Sequence, residues 1–184
     1  TLVFTADSAY RDERKYGGDD VYLATRDGRV RRLTMDDDFD YNSAKISPDG
    51  RWILCTRGLS TDAVIAKRMD NGGPTDLVLI PVAGGPERSL TPDWDYLPTN
   101  AQWSVDGKYL YFMGGVGGTT HLFRVSPNGG AVEPVTKGER RIGGISFDRA
   151  MSKMAYTVGV MDAPPEIWVA NIDGSVERKL TNVH

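Results

Sequence analysis

Cysteine is nearly absent. Cys55 stands alone in 184 residues, so no internal disulfide framework holds this chain together. It lies in the apolar run Trp52-Ile53-Leu54-Cys55, the setting of a buried, inert thiol. Histidine is scarce as well. His121 and His184 are far apart, and with one cysteine they cannot build a typical zinc site. No apolar run approaches the ~18 residues of a membrane span. The longest, residues 77–83 and 109–116, are strand-sized, so no membrane partner is expected. Thr1-Leu2-Val3-Phe4 lacks the charged, apolar and cleavage regions of a signal peptide. An excess of positive charge is missing too. The 22 Lys+Arg against 25 Asp+Glu give a net charge of −3, which argues against a nucleic-acid partner. One cysteine does not identify a compartment; the cytoplasm is slightly favoured.

Catalytic signatures are lacking in the same way. Gly58-Leu59-Ser60-Thr61-Asp62 and Gly144-Ile145-Ser146-Phe147-Asp148 miss the last glycine of a nucleophile elbow, and neither leads into a helix. His121 begins a strand with no paired serine or cysteine, which gives it a structural role. Gly114-Gly115-Val116-Gly117-Gly118 lacks the Lys-Ser/Thr of a phosphate loop. The tryptophans Trp52, Trp94, Trp103 and Trp168 lie mostly in strands and read as core. The expectation is therefore no catalytic residue, no metal and no cofactor in this chain.

Glycine, in contrast, is plentiful. The 21 glycines and 10 prolines exceed ordinary usage, where glycine is about 7%, and point to many short strands. They fall in a repeat. Four segments end alike: Arg31-Arg32-Leu33-Thr34, Arg88-Ser89-Leu90-Thr91, Glu133-Pro134-Val135-Thr136 and Arg178-Lys179-Leu180-Thr181. The threonines are 57, 45 and 45 residues apart, near the ~40–50 of a four-stranded propeller blade. A turn pair precedes each ending: Asp27-Gly28, Gly84-Gly85, Gly129-Gly130 and Asp173-Gly174. Earlier in the unit come Ser47-Pro48-Asp49-Gly50 and Ser104-Val105-Asp106-Gly107, with Ser146-Phe147-Asp148-Arg149 as a degraded copy.

The unit reads strand–turn–strand–loop–strand–turn–strand. The fold class is all-β: a β-propeller segment of about four blades of four antiparallel strands, some 15 strands in all. The single domain, 1–184, divides into blades at about 1–34, 42–91, 99–136 and 141–181, the first lacking its opening strand. Only residues 62–69 could form a helical turn or two. The missing strand suggests an arc of a larger propeller of seven or eight blades.

Elaborated segments at 8–19, 58–75, 114–120 and 159–165 share one face with the blade-to-blade connections, and binding usually resides in such loops. Two connections match in length and in acidic positions, Asp36/Asp93 and Asp38/Asp95, followed by Phe39/Tyr96. They form either a cation- or amine-binding rim or capped, solvated turns, and aspartate is an ordinary turn residue. The cluster Arg11-Asp12-Glu13-Arg14-Lys15 is either a mixed-charge exposed loop or a reach toward substrate or a partner domain. The candidate contact residues are Arg11, Glu13, Arg14, Asp93 and Asp95.

These repeats resemble those shared by TolB-type propellers and the propellers of prolyl oligopeptidase family serine peptidases. Leu90-Thr91-Pro92-Asp93-Trp94-Asp95 with Ala101-Gln102-Trp103-Ser104 looks like the dipeptidyl/acylaminoacyl peptidase branch. So does Ala163-Pro164-Pro165-Glu166-Ile167-Trp168 leading to Leu180-Thr181. The resemblance implies a parent serine peptidase whose propeller gates and orients peptide substrate for a separate α/β-hydrolase domain. None of that family's catalytic triad maps onto this chain. A TolB-like interaction propeller without enzymatic activity is the alternative.

Overall fold

Short apolar stretches bounded by glycine turns form strands in register with one another. The computed structural model describes residues 1–7, 12, 14–160 and 163–183. Among them are fifteen strands and one helix, α1 (Thr61–Ala66), so Gly58-Leu59-Ser60-Thr61-Asp62 does lead from a strand into a short helix, contrary to the sequence expectation, while still lacking the last glycine of a nucleophile elbow. The first sheet has three antiparallel strands: β1 (Leu2–Asp7), β2 (Asp19–Ala24) and β3 (Val30–Arg32). The second has four: β4 (Phe39–Ile46), β5 (Trp52–Leu59), β6 (Asp76–Pro81) and β7 (Arg88–Ser89). A third unit follows: β8 (Thr99–Trp103), β9 (Leu110–Val116), β10 (Thr119–Val125) and β11 (Glu133–Pro134). The fourth comprises β12 (Arg141–Phe147), β13 (Lys153–Val160), β14 (Ala163–Asn171) and β15 (Arg178–Lys179). One parallel bridge, Thr120 to Arg141, joins the third and fourth units into an eight-stranded sheet. The sheets stack face to face as an arc of a β-propeller and do not close into a ring.

Strand periodicity builds the core. In β5 and β6, Ile53, Cys55, Val78 and Ile80 pack with Val21 and Leu23 of the first sheet. The alternate residues Leu54, Leu77 and Leu79 pack with Leu110, Phe112 and Phe123 of the third unit. There Tyr111, Met113 and Leu122 turn instead toward Met154 and Tyr156 of the fourth. Each interior sheet thus divides its side chains between two neighbours. Cys55 lies in this core, and burial raises its thiol pKa, as an inert cysteine requires.

One hydrogen bond recurs in every unit. The Oγ1 of Thr34, Thr91, Thr136 and Thr181 accepts from the backbone N–H of Val21 (3.0 Å), Leu77 (2.8 Å), Leu122 (3.0 Å) and Ile167 (2.9 Å). This latch ties the end of each unit to the start of its third strand, which is why the sequence repeats a threonine there. In three of the four units the hydroxyl also meets the side chain just before that strand residue. Thr34 donates to Asp20 Oδ1 (2.6 Å), Thr181 donates to Glu166, and Thr136 Oγ1 lies 3.3 Å from His121 Nδ1. His121 is therefore a buried latch residue, and burial, with Arg140 nearby, lowers its pKa.

The turns repeat by role as well. Ser47 Oγ donates to Asp49 (2.6 Å) and accepts from Trp52 N–H (2.9 Å). Ser104 does the same with Asp106 (2.7 Å) and Tyr109 N–H (3.0 Å). In the fourth unit Asp148 takes the serine's place. Its N–H donates to Lys153 O, as Ser47 N–H does to Trp52 O, and its Oδ1 accepts from Ser152 (2.6 Å) and Lys153 N–H (2.9 Å). Met151, at φ 49°, holds the left-handed position that Gly50 and Gly107 hold elsewhere. The expected Ser146-Phe147-Asp148-Arg149 copy is thus two residues out of step. Bulges support this alignment. Ser43, Asn100 and Gly144, each with positive φ, stand four residues before Ser47, Ser104 and Asp148.

Candidate functional site

The loop-bearing face is assembled where β1–β2, β5–β6 and the first connection meet. Ser60 caps α1 by accepting from Ala63 N–H (3.2 Å), and its hydroxyl donates to Asp37 O (2.9 Å). Ser60 N–H donates to Asp38 O, so helix and connection form one surface. Asp62 then reaches across to accept from Tyr16 N–H (3.2 Å), and Asp40 Oδ1 accepts from Asp19 N–H (2.7 Å). This region carries eight aspartates among its described residues, in loops or near the ends of elements: Asp12, Asp19, Asp36, Asp37, Asp38, Asp40, Asp62 and Asp70.

Most of those carboxylates already have work. Asp36 Oδ1 accepts from Asp38 N–H (3.1 Å), a turn cap. Asp37 meets Arg32 (3.1 Å) and Lys15 (3.3 Å), and their hydrogen bonds hold its carboxyl below the ordinary range. Asp38 is paired with Lys67. Burial raises the Asp19 pKa, with Asp40 adding repulsion. Beneath the rim, Arg57 is clamped between Asp76 (2.6 Å) and Glu87 and lies 4.4 Å from the centre of the Phe39 ring. An open groove of about 740 Å³, lined by Met35, Asp36, Asp37, Asp38, Tyr41 and Glu87, runs along this junction.

Of the candidate contact residues, Arg14 is highly exposed and turned back onto its own loop, with its Nε 3.0 Å from Asp12 Oδ1. The Arg14 hydrogen bonds lower the Asp12 pKa. Asp93 and Asp95 are exposed and make no hydrogen bond or ion pair among the described residues. They flank Trp94, whose ring packs edge-on against Phe123 (4.7 Å) and Phe112 (5.7 Å). Trp94 thereby pins the second connection, and Gly114 makes room for it, since a Cβ there would lie 3.0 Å from the indole. Arg11 and Glu13 fall outside the described residues. Arg14 therefore lies on the first-to-second rim, whereas Asp93 and Asp95 lie on the next connection.

The third connection differs, and sequence reasoning passed over it. Arg140 is held bidentately by Glu177 (2.6 and 3.0 Å), which also accepts from Tyr156. The signal was the doublet Arg140-Arg141, with Arg141 at the position where the second sheet carries Asp40. Among the described residues no cluster of three or more His, Cys, Asp or Glu is arranged to hold a metal ion.

No family model matches this sequence, and no curated protein does. Its fold is nonetheless shared by solved propellers. The β-propeller domain of the trilobed protease from Pyrococcus furiosus superposes with a TM-score of 0.69 at 19% identity, over 98% of this chain and 51% of that one. An acylaminoacyl peptidase, solved with Z-Gly-Gly-Phe-chloromethyl ketone, matches with a TM-score of 0.65 at 22% identity, over 98% of this chain and 25% of that one. TolB from Acinetobacter baumannii matches with a TM-score of 0.64 at 17% identity, over 97% and 40%. The chain thus spans from a quarter to about half the length of these proteins. The neighbours include propellers of prolyl oligopeptidase family peptidases and of TolB, as the repeats led one to expect.

Proposed function

We propose that this chain is the noncatalytic propeller segment of a serine peptidase of the dipeptidyl/acylaminoacyl type. Its loop-bearing face admits and orients peptide for a separate α/β-hydrolase domain. The observation that carries this reading is the last unit. The Pro164-Pro165-Glu166 stretch that resembles the peptidase branch opens β14. Its Glu166 receives Thr181, Val183 N–H (2.9 Å) and Lys179 (3.0 Å), so the family-like residues close the unit. Arg14, Asp93 and Asp95 are the described contact candidates on this face, with Arg11 and Glu13 proposed from sequence alone. A second reading, an interaction propeller without a hydrolase, is favoured by the likeness to TolB.

The test is to read the gene beyond the His184 codon. A further ~250 residues of alternating strands and helices with a Gly-x-Ser-x-Gly elbow supports the peptidase. A gene with no hydrolase region moves the assignment to the interaction propeller. In either case the isolated 184-residue chain is expected to leave an aminoacyl-nitroanilide uncleaved.

A further inference from the structure

A second groove, of about 570 Å³, opens on the loop-bearing face between the third and fourth units. Four of its twelve lining residues are glycines. Gly143 and Gly159 come from β12 and β13, and Gly117 and Gly118 from the facing hairpin turn. Packing does not demand these glycines. A Cβ on Gly159 would meet Pro165 Cγ at 3.8 Å and Arg141 O at 3.9 Å, and one on Gly143 would meet Thr157 Oγ1 at 3.4 Å; Gly117 and Gly118 have open space beside them but hold the positive φ (56° and 83°) of the hairpin turn. The glycines leave a hollow rather than relieve a clash. Exposed Val160 and Pro165 give it an apolar wall, and Thr157 adds a hydroxyl. The ladder of β12 with β13 slips between Gly143 and Ser146, so the backbone of Gly144 and Ile145 has no partner in that ladder.

One cation is left unspent here. Arg141 is exposed, and its Nε donates to Gly118 O at 3.0 Å, which anchors the guanidinium at the groove. Its terminal nitrogens have no partner among the described residues. Arg140 beside it is already neutralised by Glu177. Glu139, exposed and unpaired among the described residues, is the opposing charge on the same rim. At the other end of the face the aspartates cap turns or hold Arg32, Lys15 and Lys67.

We propose that this groove binds the carboxylate of an extended peptide, with Arg141 as its anchor. A planar guanidinium with free N–H groups matches a carboxylate. The volume falls in the ~300–1,000 Å³ range of ligand sites. The glycines in its lining, Gly143 and Gly159 among them, let a peptide backbone lie close. The carboxylate can be a chain terminus or an acidic side chain. This deepens the peptide-receiving reading and rests on it for the nature of the ligand.

Calorimetric titration of the full-length protein tests it with three probes: acetyl-Ala-Ala-Val-Ala as free acid, its C-terminal amide, and the amide with Glu in place of Val. The free acid is expected to bind about tenfold more tightly than the plain amide. Recovery of affinity by the Glu-containing amide assigns an acidic side chain as an equal source, and no recovery assigns the terminus. Arg141→Gln should lower the acid to the level of the amide. Gly159→Leu should fill the groove and abolish binding, and Glu139→Gln should tighten the acid about two- to threefold. Equal affinity for all three probes overturns the proposal, whereas tight binding of the Glu-containing amide alone assigns the acidic side chain as the source. So does an unchanged affinity in Arg141→Gln or Gly159→Leu protein with a native circular dichroism spectrum, or no binding at millimolar probe. A protein that binds in this way yet cleaves no peptide sinks the peptidase reading and leaves the groove standing. Turnover without carboxylate dependence does the reverse.

Discussion

The second and fourth units are built from the same parts and differ in what covers them. Both latch a threonine onto the third strand, at 2.8 Å in one and 2.9 Å in the other. The second unit is packed on both faces, so Leu77 and Leu90 are 0% and 2% exposed. In the fourth, the matching Ile167 and Leu180 are 43% and 48% exposed. The latch is a local device set by chain geometry, whereas its energetic weight is set by burial. The fourth unit also recruits charge where the second uses packing: Glu166 takes part in the latch and gathers Lys179 as well.

The largest predicted effect breaks the latch where it is buried. Thr91→Val keeps the shape but strands the Leu77 N–H, which should cost about 1–3 kcal/mol. Thr181→Val should cost about 1 kcal/mol or less, because water reaches the freed groups. Urea unfolding of both variants of the 184-residue chain checks this, and equal losses would mean that burial does not set the difference.

Acid should single out the fourth unit. Thr181, with Val183 N–H and Lys179, holds the Glu166 carboxyl at about 2 against an ordinary 4.5. A depressed carboxyl stabilises the fold above its unfolded value, and that contribution is lost as pH falls from about 4.5 toward 2. Protection of the Ile167 amide against exchange, relative to its intrinsic rate at each pH, should therefore fall across that window, and Glu166→Gln should remove the step. A Glu166→Gln protein with the same acid response would contradict the assignment.

The rewritten turn offers a smaller effect of opposite sign. Met151→Gly should stabilise by up to ~1 kcal/mol by relieving a left-handed non-glycine residue, while Gly107→Ala should destabilise by about 1 kcal/mol. Thermal melts of the pair check the signs. Smallest of all, Lys67→Ala and Arg14→Ala on the exposed rim should move stability by no more than about 0.5 kcal/mol.

Much of the frame was legible in sequence because its signals are local. Threonine endings, glycine turns and apolar alternation each act within a few residues of where they are written. The fourth turn escaped because its role is carried by other residue types: Asp148 stands for serine, and Met151 for glycine. The loop-bearing face was legible as a face but not in its charges. Nothing local told that Asp37 would meet Arg32 and Lys15, or that Arg14 would fold onto Asp12. The groove at Arg141 escaped for another reason. Its hollow is made by glycines from separate segments, and only the strand register sets them side by side.

The most direct test of the account is to treat the full-length natural protein with a fluorophosphonate probe, beside the 184-residue chain. The account predicts a single labelled serine outside residues 1–184, loss of peptide hydrolysis on labelling, and an unlabelled 184-residue chain. A full-length protein that takes up no probe and cleaves no peptide, or a label within residues 1–184, would contradict it.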